Sequence, residues 1–257
     1  METLAAFLRS ESAKLNEERR GTPTTSHTVP RLRADLQVAA TVLGQRPESL
    51  RREESRRINL RGVLLGRVHL RRAHYEGIAL TGADFRSGQL TDIHLDRALL
   101  RNADFESTVL ERAHFTEAFL LGAGFRHSRL GGAVFDRSWV FGADFRGAQG
   151  ANGSLNRAYC DEATIVAWMK ESLEEGPRTW GELREVLDTP SEENLEALRS
   201  KLRLHAGPID EKRLREGMTQ IAFFLDQKLR LSENSPVNYE DISEALKNIR
   251  SGSSRTS

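Results

Sequence analysis

Three histidines, His74, His94 and His114, recur at intervals of twenty residues. If twenty residues make one turn of a stacked structure, their imidazoles form an outward ladder about 5 Å apart, the spacing of neighbouring strands. Such a column supports two kinds of chemistry. Neighbouring imidazoles can share a metal ion at the surface, and stacked imidazolium charges repel one another, which makes a pH-sensitive patch. The plainer reading is a solvated polar column. A second column of ionisable groups, Asp84, Asp104 and Asp144, shares one face and is interrupted by Gly124. It is a candidate acidic face. Beyond these two columns the sequence offers little chemistry. It has no nucleotide-binding loop, no cysteine pair and no His-Glu-x-x-His, so the ordinary zinc spacings are absent. Ser154, His205 and Asp210 belong to no nucleophile motif. The expectation is a chain without catalytic residues, without a cofactor, and without a metal unless the histidine ladder holds one.

The elements that position these columns follow from a repeat. In the stretch GADFRSGQLTDIHLDRALLRNADF, residues 82–105, a large apolar residue stands at every fifth place. The series runs unbroken through Leu60, Leu65, Leu70, Tyr75, Leu80, Phe85, Leu90, Leu95, Leu100 and Phe105. It continues through Leu110, Phe115, Leu120, Phe125, Leu130, Phe135, Val140 and Phe145. Two places before each stands a small or β-branched residue, as in Ile58, Val63, Ala83, Ala103 and Ala143, with Gly88 the one gap. Neither a helix, with its period of 3.6, nor a strand, with its period of 2, reads a chain in fives. Two inward residues in five describe a short extended piece followed by a turn, and four such pieces close a square coil. Coils ~4.8 Å apart, about four and a half of them, give a rod of roughly 22 Å.

Sorting the large column by twenties separates the four sides. One side reads Leu65, Phe85, Phe105, Phe125, Phe145, so aromatics stack on aromatics. Two are leucine columns, one of them Leu60, Leu80, Leu100, Leu120 and Val140, the other Leu70, Leu90, Leu110 and Leu130. The fourth is mixed: Tyr75, Leu95, Phe115, Phe135. The corner after the first leucine column reads Gly62, Gly82, Asn102, Gly122, Gly142. These residues tolerate positive φ, which predicts type II turns along this one edge and no other.

The motif Ala-Asp-Phe at Ala83-Asp84-Phe85, Ala103-Asp104-Phe105 and Ala143-Asp144-Phe145 resembles that of the pentapeptide-repeat proteins. The resemblance covers about 58–149 and implies a right-handed four-sided β-helix. The best-understood members of that family, bacterial proteins among them, are DNA mimics that occupy a type II topoisomerase such as DNA gyrase, protect it from inhibitors and so confer antibiotic resistance, which the resemblance offers as an alternative role here. A mimic of that kind needs a strongly negative rod, because its partner holds phosphates. Between Ile58 and Ala148 this sequence has 12 arginines against 10 carboxylates, and no long loop interrupts the repeats.

The flanks read as helical. Residues 3–20 place Leu4, Phe7, Leu8 and Leu15 on one side, and RLRADLQVAATVLG places Leu32, Leu36, Ala39 and Leu43 on a stripe that stops at Gly44. The second helix is a natural lid for the first coil. GTPTTSHTVP is a linker, and RPESLRREESRR reads as a solvated connector. Beyond Gly150 helices are expected near 161–174 and 179–188. Another is opened by a capping box at Thr189-Pro190-Ser191-Glu192. A longer one carries Leu214, Met218, Ile221, Leu225 and Leu229, and the last holds Ile242, Leu246 and Ile249. The domain expectation is 1–57 helices, linker and cap; 58–150 β-helix; 151–250 helical domain; 251–257 disordered tail. The helical domain either seals the last coil or forms a homodimer contact.

Composition bounds the rest. The formal net charge of +1 on 257 residues favours no polyanionic partner, and no apolar run approaches the roughly 20 residues of a membrane span. One cysteine, Cys160, and no secretory leader suggest a cytoplasmic chain. The expected function is a non-enzymatic protein–protein interaction scaffold with a protein partner and no direct nucleic-acid contact. Topoisomerase protection is the alternative.

Overall fold

A computed structural model describes residues 1–21, 31–54, 58–151, 155–159, 162–171, 179–206 and 210–250. The linker 22–30, the tail 251–257, Ser154, Cys160, the Gly207–Pro208 break and the His205 side chain lie outside the described residues.

From Ile58 onward the chain forms a β-helix whose rungs are parallel bridges between residues twenty apart. Asn59 pairs with Ala79, Leu64 with Asp84, His69 with Gln89 and His74 with His94, and the series runs up to Trp139 with Tyr159. Four bridges in twenty residues give the coil four sides. Each rung is hydrogen-bonded in both directions, as where Leu60 N–H donates to Ala79 C=O at 2.7 Å and Ala79 N–H donates to Ile58 C=O at 3.3 Å. The five-residue unit folds this way because its large and small residues both enter one narrow core. Every large-column residue from Leu60 to Phe145 is at most 3% exposed. Phe85, Phe105, Phe125 and Phe145 stack with centroids 5.1, 5.1 and 4.9 Å apart. Phe115 meets Phe105 and Phe125 edge-on at 5.9 and 5.8 Å, the favourable T-shaped arrangement. Where the small column carries a hydroxyl, that group bonds to backbone: Thr108 to Phe85 C=O, Ser128 to Phe125 C=O and Ser138 to Phe135 C=O.

The corners correct the one-edge expectation. Positive φ occurs at all eighteen corners from Gly62 to Gly147, and arginine, serine, aspartate, asparagine, glutamate or histidine fills eleven of them. Arg67, Arg72 and Arg97 adopt φ of 61°, 56° and 60°. The left-handed region costs a non-glycine residue about 1–2 kcal/mol. Here each non-glycine corner is held on two sides. Val68 N–H closes the turn onto Leu65 C=O, and Arg67 N–H reaches Arg86 C=O in the next coil at 2.7 Å. The coil imposes the corner conformation, and glycine only relieves it.

The N-terminal helices α1 (Glu2–Gly21) and α2 (Ala34–Gly44) close the first coil, and α3 (Glu48–Glu54) lies beside the rod, with Arg51 3.5 Å from Glu76. The first coil's outward-turned backbone groups would otherwise lack partners. Ser12 Oγ accepts from Leu64 N–H at 2.9 Å. The Gln37 amide accepts from His69 N–H and donates to His69 C=O. Gly44 C=O accepts from His74 N–H, and Arg9 reaches Asn59 C=O. Tyr75, fully buried, donates its hydroxyl to Ala40 C=O at 2.6 Å. Gly44 is required here, since a Cβ would lie 2.7 Å from Ala73 Cβ. Two expectations are corrected. Phe7 is 37% exposed, and the buried stripe of α1 is Ala5, Leu8, Glu11 and Ser12. The connector at 46–54 is not simply solvated: Arg46 is buried, donating to Leu43 C=O, and Glu48–Glu54 is helical.

Beyond the coils lie α4 (Glu162–Glu171), α5 (Trp180–Asp188), α6 (Glu192–Ala206), α7 (Glu211–Leu229) and α8 (Tyr239–Leu246). The capping box is Thr179 with Glu182 at the start of α5, not Thr189 to Glu192. Thr189 instead bonds back to Glu185 C=O, and Ser191 Oγ accepts from Asn194 N–H at the start of α6. The last helix stops at Leu246, so Ile249 is not on it. Ile249–Arg250 forms strand β2, parallel to strand β1 (Asp144–Phe145). Gly142 N–H donates to Leu246 C=O and Ala143 N–H to Asn248 Oδ1, so the returning chain supplies the next rung on that side. Among the described residues no helix is long and apolar enough to cross a membrane.

Candidate interaction faces

A rung of a β-helix places every twentieth side chain directly above its predecessor, so each face is a set of outward columns. On the side of Leu60, Leu80, Leu100, Leu120 and Val140 the outward column reads Asn59, Ala79, Leu99, Phe119, Trp139, Tyr159. It changes from polar to aromatic along the rod. Its flanking column ends in Leu121 and Phe141, and both are fully buried. This half of the face is covered by the helical segment, with which Phe119, Leu121, Trp139, Phe141 and Tyr159 share one apolar core. Helix α7 packs tightly against it. A Cβ at Gly217 would lie 2.3 Å from the Trp139 indole, and one at Gly122 would lie 2.5 Å from the Phe224 ring. Polar contacts border this core: the Arg213 guanidinium sits 4.7 Å over Phe119, Arg101 meets Gln220 and Asn102 meets Gln227. The helical domain therefore docks along the flank of the rod, while β2 covers part of its end.

The second side holds Asp84, Asp104 and Asp144, on bridges that run through Gly124. These carboxylates are neutralised in place. Arg86 binds Asp84 at 2.7 Å and lies 3.6 Å from Asp104. Arg146 binds Asp144 at 2.6 Å, and Arg126 lies 3.9 Å from it while binding Glu106 at 3.0 Å. Burial pushes the Asp104 carboxyl up, against the pull of the Glu106 N–H and Arg86. For Asp144 burial also raises, but the Arg146 hydrogen bond and the nearby guanidinium charges bring it below its ordinary value. The face is a mosaic of pairs.

The third side, opposite the docked helices, presents His69, Gln89, Val109, Arg129 and Gln149. Its corner pairs Arg112 with Asp92 through two bonds of 2.7 and 2.8 Å. The fourth side carries the histidines. His74 and His94 stack with centroids 4.5 Å apart, and His94 and His114 at 4.6 Å. Burial, followed by the neighbouring His114 and His74, lowers the His94 pKa. His74 Nδ1 meets Glu76 Oε1 at 2.7 Å. Between this side, α3 and the start of α7 lies a cleft of about 760 Å³, lined by Arg51, Glu76, Arg97, Glu117, Asp210 and Arg213 among others.

The sequence reading brought the histidine and aspartate columns together but missed the docking column. The signal was there: Phe119, Leu121, Trp139 and Phe141 are large apolar residues at outward positions of the repeat, where its other units place mostly polar ones.

A stacked coil of twenty residues with four parallel bridges per turn defines a β-helical solenoid, here with a helical domain laid against one side. Residues 93–132 match the family model for Pentapeptide repeats in eight copies, so this solenoid is a pentapeptide-repeat domain. No curated protein matches the chain. Among solved structures it is similar to a pentapeptide repeat protein from the Arabidopsis thaliana thylakoid lumen, at 22% identity over 43% of this chain and 74% of that one, TM-score 0.31. It is similar to HetL of the cyanobacterium Nostoc, a pentapeptide repeat protein involved in heterocyst differentiation regulation, at 25% identity over 36% and 51%, TM-score 0.20. QnrB1, a plasmid-mediated fluoroquinolone resistance protein, is similar at 22% identity over 36% and 67%, TM-score 0.25.

Proposed function

We propose that the chain is a non-enzymatic scaffold for protein–protein interaction, holding its partner on a side of the β-helix that the helical domain leaves open. One observation carries this reading: the rod already uses one flank to hold α7 through Phe119, Trp139 and Tyr159. Outward columns of this solenoid thus serve as a docking surface for a helix, and repeat rods offer such surfaces at little conformational cost. Three sides remain for a second protein. The opposite side presents exposed Arg72, Arg112 and Arg129. The test is affinity capture from the native host with charge-reversed faces. Loss of one partner with Arg72→Glu/Arg112→Glu/Arg129→Glu, and retention with a reversed second side, supports the scaffold. Equal capture by every variant overturns it.

Gyrase protection by DNA mimicry is not favoured by the charges. A phosphate-like ladder needs unneutralised anions, and Asp84 and Asp144 are each held by arginine. A supercoiling assay with a fluoroquinolone poison discriminates: protection lost on Asp84→Lys/Asp104→Lys/Asp144→Lys would replace the scaffold reading with the mimic.

A further inference from the structure

We propose that the fourth side of the β-helix carries a binding site for one divalent transition-metal ion, centred on His94. Two donor triads converge there. They are His74 with Glu76 and His94, and His94 with Asp96 and His114, the ligand atoms of each triad lying within 4.8 Å of one another. The backbone sets this arrangement, because the bridges His74 to His94 and His94 to His114 hold the three residues one rung apart. The stacked rings turn toward a common carboxylate column: His74 Nδ1 lies 2.7 Å from Glu76 Oε1 and His94 Nδ1 lies 3.8 Å from Asp96 Oδ2.

A zinc ion with bonds of about 2.0–2.1 Å holds tetrahedral donors about 3.4 Å apart. Two facing imidazoles tilt out of their stack to reach it, a rotation of side chains only. The space exists, since His74, Glu76 and His94 are 30, 30 and 32% exposed. Glu76 contributes a second argument. Its Oε2 is buried with no hydrogen-bond partner among the described residues, so an uncommitted carboxylate oxygen sits beside the imidazoles. The Arg51 guanidinium, 3.5 Å from Glu76 Oε1, is the contact an ion would weaken. Two imidazoles, a carboxylate and water suit zinc, nickel or copper, and not calcium or magnesium, which prefer all-oxygen shells. Both triads share His94, so they admit one ion per chain and can exchange it along the ladder.

The experiment is calorimetric titration of zinc into the full chain free of any histidine tag. One ion per chain is expected. His94→Ala removes a ligand from both triads and weakens binding at least tenfold. His74→Ala or His114→Ala alone weakens it only two- to threefold, because the other triad remains, and the two together match His94→Ala. The double variant Glu76→Gln/Asp96→Asn keeps the ring stack and also loses tenfold, which holds the test if His94→Ala does not fold. No binding by the wild type, or equal binding by His94→Ala or by the double carboxylate variant, overturns the proposal.

Discussion

Phe105 sits at the middle of the aromatic core, between Phe85 and Phe125 and against the edge of Phe115. Truncation to alanine opens a cavity that the coil cannot close, because the rungs on both sides are hydrogen-bonded. Phe105→Ala is therefore expected to cost about 3–5 kcal/mol, read as the shift of the urea midpoint multiplied by the m-value. Asp104 behaves differently. Its folded pKa is raised by burial, so its contribution to stability is fully present at acid pH and is lost as pH rises through that pKa. Asp104→Asn, which keeps an acceptor for the Glu106 N–H, is expected to be more stable than the wild type at pH 7. The advantage should shrink as pH falls through the raised pKa and vanish only below the ordinary carboxylate pKa, where both states are protonated. Urea titrations at pH 7 and pH 3 compare the two chains directly. The inward residues were legible in the sequence because burial constrains their type at every fifth position. The arginine partners of Asp84 and Asp144 were not, since an i,i+2 pair such as Arg86 and Asp84 is informative only once both are known to share a face.

Among the elements, the first coil depends on borrowed groups. Gln37, on α2, supplies through its amide both the donor and the acceptor that a preceding coil would supply to His69. Gln37→Ala leaves these to water at a cost of about 1 kcal/mol. In hydrogen exchange the His69 amide should lose protection, while Val109, whose N–H donates to Gly88 C=O at 3.0 Å, keeps it. Unchanged His69 exchange would show that α2 is not the cap. The element reading erred where two local signals competed. Thr189 has capping-box spacing to Glu192, yet the chain uses Thr179 with Glu182. Ile249 continues the stripe of α8 in sequence, yet pairing with Asp144 draws it into β2. Periodicity cannot see a partner a hundred residues away.

At the scale of the molecule, the seam between rod and helices depends on Gly217. Alanine there would gain up to about 1 kcal/mol of helix propensity. Against that, its Cβ would meet a fully buried indole at 2.3 Å, and overpacking costs about 1–3 kcal/mol. Trp139 is held by Phe119, Phe141 and Tyr159 and has no room to withdraw. Gly217→Ala is thus expected to be net destabilising, by on the order of 1 kcal/mol. Limited trypsin digestion should release the helical region sooner than from the wild type while the rod survives. The rod was readable from sequence alone. The seam was not, because inward and outward apolar residues look alike until the coil is built.

The twenty-residue bridge has a further consequence, for how the chain tolerates change. Neighbours in space are twenty apart in sequence, so paired substitutions within the rod should show their strongest epistasis at that offset, as between positions 94 and 114 or 104 and 124. Losing a single residue would throw every later side chain out of phase. Excising a full turn would merely leave a shorter column, so lineages of such rods can lengthen or contract only in whole storeys.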